Sequence, residues 1–136
     1  MERVLAVVLV GAALVTGLYW FDYYTGGQVR VVDARWYTAF EDSFPAADAW
    51  LAVTAFLAGI GLWRGARWGA PMGLLAGSAA IYLAGMDITF NVENGLYALA
   101  AQSEAMQAEI AINASSLLIG IATIGLCWHR VSRNIV

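Results

Sequence analysis

GMDITFNVENG, residues 85–95, closes a long apolar run with a cluster of polar side chains: Asp87, Thr89, Asn91, Glu93 and Asn94. Asp87, Asn91 and Asn94 stand at i, i+4 and i+7, so a helix continued through them carries all three on one face. A carboxylate at the end of an apolar helix is costly unless it reaches water, a partner or a bundle interior. The stretch therefore predicts a membrane-spanning helix over about 70–90. Its polar end would be delivered to an interior that the rest of the chain must build.

Composition agrees with that demand. Of 136 residues, 61% are hydrophobic and 12% are charged, against roughly 25% charged in soluble domains. The chain reads as an integral membrane protein, and its length allows a single domain, 1–136, with one bundle. The seven basic residues are all arginine and the net charge is -3. No basic patch is present, which excludes a nucleic-acid partner. Cys127 is the one cysteine. No intrachain disulfide can form, which excludes thiol-oxidising quinone reductases with their paired cysteines, and Cys127 reads as a small buried apolar residue.

Upstream of the polar stretch, Gly69, Gly73 and Gly77 repeat every four residues, continued by Ala80 and Ala84. Such small-residue stripes let helix backbones approach closely in lipid. Before them, Arg64-Gly65-Ala66-Arg67-Trp68 is a short basic turn. It ends a second span, 46–63, which Pro45 opens; a missing N–H is harmless in the first turn of a helix. Asp48 also lies in that turn, where it complements the helix dipole. The first span, about 4–21, ends in the aromatic run Leu18-Tyr19-Trp20-Phe21. That run reads as an interfacial belt on an uncleaved helix rather than as the end of a signal peptide. The connection 22–44 is the longest polar stretch. It holds a turn at Thr25-Gly26-Gly27, a short extended piece at 28–32, and DARWYTAFEDSF. There Trp36, Phe40 and Phe44 at i, i+4 and i+8 predict a short interfacial helix, serving as a surface anchor or as a lid over a pocket.

Downstream, Asn94-Gly95 is a turn signal. Leu96–Ala108, rich in good helix formers, is expected to be helical and to run on into a fourth span, about 109–128. Gln102, Met106, Glu109, Asn113, Ser116 and Gly120 mark one polar or small stripe that should face protein. The fold expected is all-α: a four-helix transmembrane bundle. Arg3, Arg64, Arg67, Arg130 and Arg133 fall on the side of the termini, against Arg30 and Arg35 on the other. The positive-inside rule then makes both termini cytoplasmic, in a multi-pass protein of the bacterial inner membrane.

In this topology Asp22, Asp48, Asp87 and Glu109 all lie near the outer ends of the helices. Close approach of two such acids would raise one pKa and permit proton exchange near neutral pH. Solvated helix ends, or pairing with Arg30 and Arg35, are the alternatives. Tyr82, a turn and a half before Asp87, joins Asn91 and Asn113 as a candidate pocket residue. No metal or cofactor is expected: the acids follow no calcium-loop pattern, and His129, the one histidine, sits at the opposite end. That separation also rules out a Ser-His-Asp arrangement. Asn113-Ala114-Ser115 matches a glycosylation sequon but falls within a span.

WYTAFEDSFPAADAWLA (36–52), the arginine-tryptophan turn and GMDITFNVENG together resemble small bacterial four-helix membrane proteins of uncharacterised families. The layout is also similar to the EXPERA group, which includes sterol isomerases and the sigma-2 receptor. Asp22, Asp42 and Trp68 fall at places comparable with that group's helix-end acid, aromatic-acidic connection and basic turn. The acid that the group carries inside its second helix has no counterpart, because Leu51–Trp63 contains none.

The expected role is a non-enzymatic membrane module, either an accessory subunit or a binder of a lipophilic ligand. Its outward-facing pocket would comprise Asp22, Asp48, Tyr82, Asp87, Asn91, Glu109 and Asn113. Its partners would be the lipid bilayer, a lipophilic small molecule, and a membrane protein or a second copy of the chain. Two other readings stay open: an enzyme using a carboxylate as acid and base on a lipid or sterol-like substrate, and a proton- or cation-coupled transporter. The latter needs a polar path through Leu117–Leu126 and Val4–Val15, which are almost wholly apolar.

Overall fold

The computed structural model describes residues 1–133. Its elements are α1 (Glu2–Thr25), α2 (Arg35–Glu41), α3 (Pro45–Trp63), α4 (Gly69–Glu93), a 3-10 turn (Leu96–Leu99) and α5 (Glu104–Arg133). Among the described residues there is no strand; 28–32, expected to be extended, is an irregular turn. Four stretches have the length and apolarity to cross a membrane: α1, α2 together with α3, α4, and α5.

Helix boundaries follow local chemistry. α1 runs four residues past its expected end, as the Thr25 hydroxyl donates to the Phe21 carbonyl. Gly27 then reverses the chain at φ 67°, a conformation open to glycine at no steric cost. Pro45 occupies the first turn of α3 as expected. α4 continues three residues beyond Phe90, which places Asn91 inside the helix, fully buried.

The segment 96–108 departs from expectation. Gly95 turns the chain at φ 65°. A single 3-10 turn follows, and α5 begins only at Glu104. Ser103 explains the late start. Its Oγ accepts from the Met106 N–H at 3.1 Å, the bond of a helix N-cap. Gln107 reaches back to the Ala100 carbonyl and holds the turn against α5. Helix-forming composition has yielded to a cap and a glycine.

The long helices pack in a row: α1 on α3, α3 on α4, and α4 on α5, while α1 and α5 barely meet. Small residues set the closeness of these seams. A Cβ on Gly120 would stand 2.9 Å from the Gly77 carbonyl oxygen, and one on Gly77 would stand 2.9 Å from the Gly120 carbonyl oxygen. Of the expected glycine stripe of α4, Gly73 and Gly77 thus lie along α5, whereas Gly69 packs on Gly61 and Leu62 of α3. At the end that carries the termini, Leu5, Leu9, Ala58, Leu62, Ala70 and Cys127 form an apolar core. There Arg130 pairs with Glu2 and donates to the Gly65 and Ala66 carbonyls, tying α5 to α1 and to the α3–α4 turn.

α2 crosses the opposite end. Tyr37 and Glu41, one turn apart, point inward and are buried, whereas Trp36 on another face is half exposed. Phe40 stacks on Phe90 of α4 with ring centres 3.7 Å apart and planes 4° from parallel. Trp36 also packs on Phe90, and Phe44 on Phe40, so the expected Trp36/Phe40/Phe44 stripe forms one aromatic row. The inward face of α2 is made by a tyrosine and a glutamate.

Candidate functional site

Beneath α2 the helices surround a polar cavity of about 100 Å3. Four carboxylates line it: Glu41 from α2, Asp48 from α3, Asp87 from α4 and Glu109 from α5. Each is held by neutral donors. Tyr19 donates to Glu41 Oε2 at 3.2 Å, and the Trp20 indole N–H donates to Asp48 Oδ2 at 2.8 Å. The Asn113 amide donates to Asp87, and the Asn91 amide donates to Glu109 Oε1. Tyr37 adds a bond to the other Glu109 oxygen at 3.2 Å. Asp87 and Glu109 lie beside each other across the α4–α5 seam and both face the chamber.

Helical register explains how residues 18 and 26 positions apart meet. Glu109 and Asn113, one turn apart on α5, face Asn91 and Asp87, one turn apart on α4, and the two rungs bond across the seam. Glu109, Asn113 and Asn91 are all buried. Tyr97, just outside the spans, packs near this group. Burial pushes its hydroxyl above the ordinary phenol range, and Asn91 beside it pulls the other way.

No arginine or histidine lines the cavity. The two basic residues of this end are engaged elsewhere or exposed. Arg30 donates to the Tyr23 carbonyl and lies over the Tyr23 ring at 4.6 Å, and Arg35 faces outward. Among the described residues the ion pair present is Glu2–Arg130, at the far end. No three acidic, histidine or cysteine side chains among the described residues converge closely enough to hold a metal ion.

A second, apolar cavity of about 350 Å3 continues from the first toward the termini. Val15, Thr16, Leu51, Ala80, Ile112 and Ser116 belong to the walls of both. The apolar cavity lies where α1 and α5 stand apart. Val8 and Val15 of α1 and Ala111, Ile112 and Ser115 of α5 line it, and all five are exposed at its rim. Thr123, fully buried, also lines it, and its hydroxyl has no hydrogen-bond partner.

Of the candidate residues read from the sequence, Asp48, Asp87, Asn91, Glu109 and Asn113 come together here. Asp22 and Tyr82 do not. Asp22 Oδ2 accepts the Val29 N–H at 3.0 Å and fixes the turn after α1; its position at a helix end is used for capping. Tyr82 is 66% exposed on the outer face of α4. Asp87 and Tyr82 are five residues apart, about 500° of helix, which puts them on different faces. Asn94, expected on the Asp87 face, is exposed and bonds the Phe90 carbonyl.

Glu41, Tyr19, Trp20 and Tyr37 were not among those candidates. The aromatic residues read as interfacial belts, and Glu41 as one acid among several on a surface helix. The available signal is the Tyr37–Glu41 spacing of one turn, opposite Trp36.

Together these features define a four-helix bundle whose acidic chamber, closed by a short helix, opens onto an apolar groove. Comparison with family models, curated proteins and solved structures gives no match.

Proposed function

We propose that this protein is an integral membrane binder of a lipophilic small molecule with a polar head. The supporting observation is the continuity of the two cavities: a polar chamber ringed by four carboxylates shares six wall residues with a larger apolar groove. That combination suits a molecule with two unlike ends. The four apolar helices and the five arginines at the end of the termini support a multi-pass protein of the bacterial inner membrane with cytoplasmic termini. α2 and the acidic chamber then lie at the outer surface, and α2 acts as the cover of the pocket.

The proximity of Asp87 and Glu109 favours a second reading, a membrane enzyme in which this pair donates and accepts a proton. The apolar core between the chamber and the termini gives a conducted polar path no support.

Native mass spectrometry of gently extracted wild type and Glu109→Gln tests the binding reading. A discrete bound mass in the wild type, lost or strongly reduced in the variant, is expected. The apo mass in both would overturn it. A bound mass converted to a product in wild type alone would favour the enzyme.

A further inference from the structure

We propose that the occupant of this site is a single-tailed amphiphile with an organic ammonium head, seated among Glu41, Asp48, Asp87 and Glu109 with its tail in the α1–α5 groove. The inference rests on the ligand-binding reading above and gives the ligand its chemical class.

Charge is the first reason. Four carboxylates from four helices surround one small chamber, and every side-chain donor they receive is a neutral phenol, indole or amide. Hydrogen bonds from neutral groups satisfy lone pairs but bring no positive charge to the acids. Buried charges of one sign are expensive until an opposite charge joins them. The chain keeps its own cations away: Arg30 lies over Tyr23, Arg35 faces outward, and Arg130 is at the other end.

Spacing is the second reason. The acids line the chamber without converging as metal ligands. Acids spread around a chamber are best met by a cation that offers several donors in different directions. A primary ammonium meets that requirement with three N–H groups.

The groove supplies the rest. Its walls are mainly Val, Leu, Ala and Ile, with Thr16, Ser115 and Ser116 among them, and it is open along the gap between α1 and α5. In a bilayer that gap faces lipid, so a tail can enter sideways while the head slides into the acidic chamber. Thr123 marks the distal end. Its hydroxyl is wholly buried, lines the groove and has no protein partner, which marks space at this end that the chain itself leaves unfilled. Thr123 lies fourteen residues beyond Glu109, a rise of roughly 21 Å along α5. A long chain is therefore required to span the site.

The test uses full-length protein in neutral phosphatidylcholine nanodiscs doped with equal mole fractions of hexadecylamine, hexadecanol and hexadecanoate. Their adducts are read in one native mass spectrum. The amine adduct is expected to exceed each of the others at least tenfold in wild type, and to fall at least fivefold in Glu109→Gln. Asp48→Asn, at the less buried side of the chamber, is expected to weaken the same adduct and serves if Glu109→Gln does not fold. Ser116→Phe, which fills the throat between the cavities, should remove all adducts. Alcohol or carboxylate adducts equal to the amine would overturn the ammonium assignment and leave the binding reading standing. Adducts that persist in Ser116→Phe would place the molecule outside the cavity and overturn the assignment. No adduct of any probe in wild type would overturn both.

Discussion

At the scale of single residues, Glu109 is the side chain on which the site converges. It is buried on α5, bonded by Asn91 and Tyr37, and adjoins Asp87. Tyr37 links this group to the cover helix. Removing its hydroxyl leaves one carboxylate oxygen short of a donor and frees α2 from its polar attachment to α5. Tyr37→Phe is therefore expected to destabilise the protein by about 1–2 kcal/mol. Hydrogen exchange and limited proteolysis should both quicken within 35–44, with little change in the four long helices. Equal protection of that segment in variant and wild type would show that the Phe40–Phe90 stack and the Tyr19–Glu41 bond hold α2 down without Tyr37.

The helices owe their arrangement to positions where nothing protrudes. Gly77 and Gly120 let α4 and α5 meet backbone to backbone, and an added Cβ on either would press on the other's carbonyl. In a membrane, where apolar side chains gain little by leaving lipid, close packing of this kind carries much of the association. Gly120→Val should lower the melting temperature by several degrees or prevent extraction of folded protein. Gly125→Ala, on the same helix with open space beside it, should be neutral or slightly stabilising, since alanine is the better helix former. Thermal unfolding of the pair in one detergent checks both; similar melting temperatures would refute the role given to the seam. The start of α5 belongs to the same scale. Helix propensity across 96–103 is overruled because Gly95 and Ser103 offer the backbone a turn and a cap.

For the whole molecule, the consequence is an open side. The helices lie in a row rather than a closed ring, so the gap between α1 and α5 exposes the apolar groove laterally. A cysteine placed at Ser115, on the rim, is expected to react readily with a lipid-soluble maleimide in nanodiscs and slowly with a membrane-impermeant one. Native Cys127, buried against Gly73, should remain unlabelled by both until the protein is unfolded. Rapid labelling of Ser115→Cys by the impermeant reagent alone would mean that the groove faces water.

Four apolar runs, a proline at a helix start and a glycine stripe determine helix number, approximate span limits and the presence of a close-packing face on α4. Each is a local property, read from residues a few positions apart. The inward pairing of Asp87 and Asn91 with Glu109 and Asn113 was also legible as matching i, i+4 faces on two helices. The role of Glu41 and Tyr37, the capping use of Asp22 and the outward turn of Tyr82 were not. Which face of a short helix turns inward depends on what lies beneath it, and Phe90 and Glu109 come to lie beneath α2 only when α4 and α5 pack. The groove has the same origin: a cavity is the space between elements, set by α1 and α5 standing apart above their Glu2–Arg130 contact. Local spacing fixes what each helix can present, and only packing of the whole chain decides which side chains share a chamber.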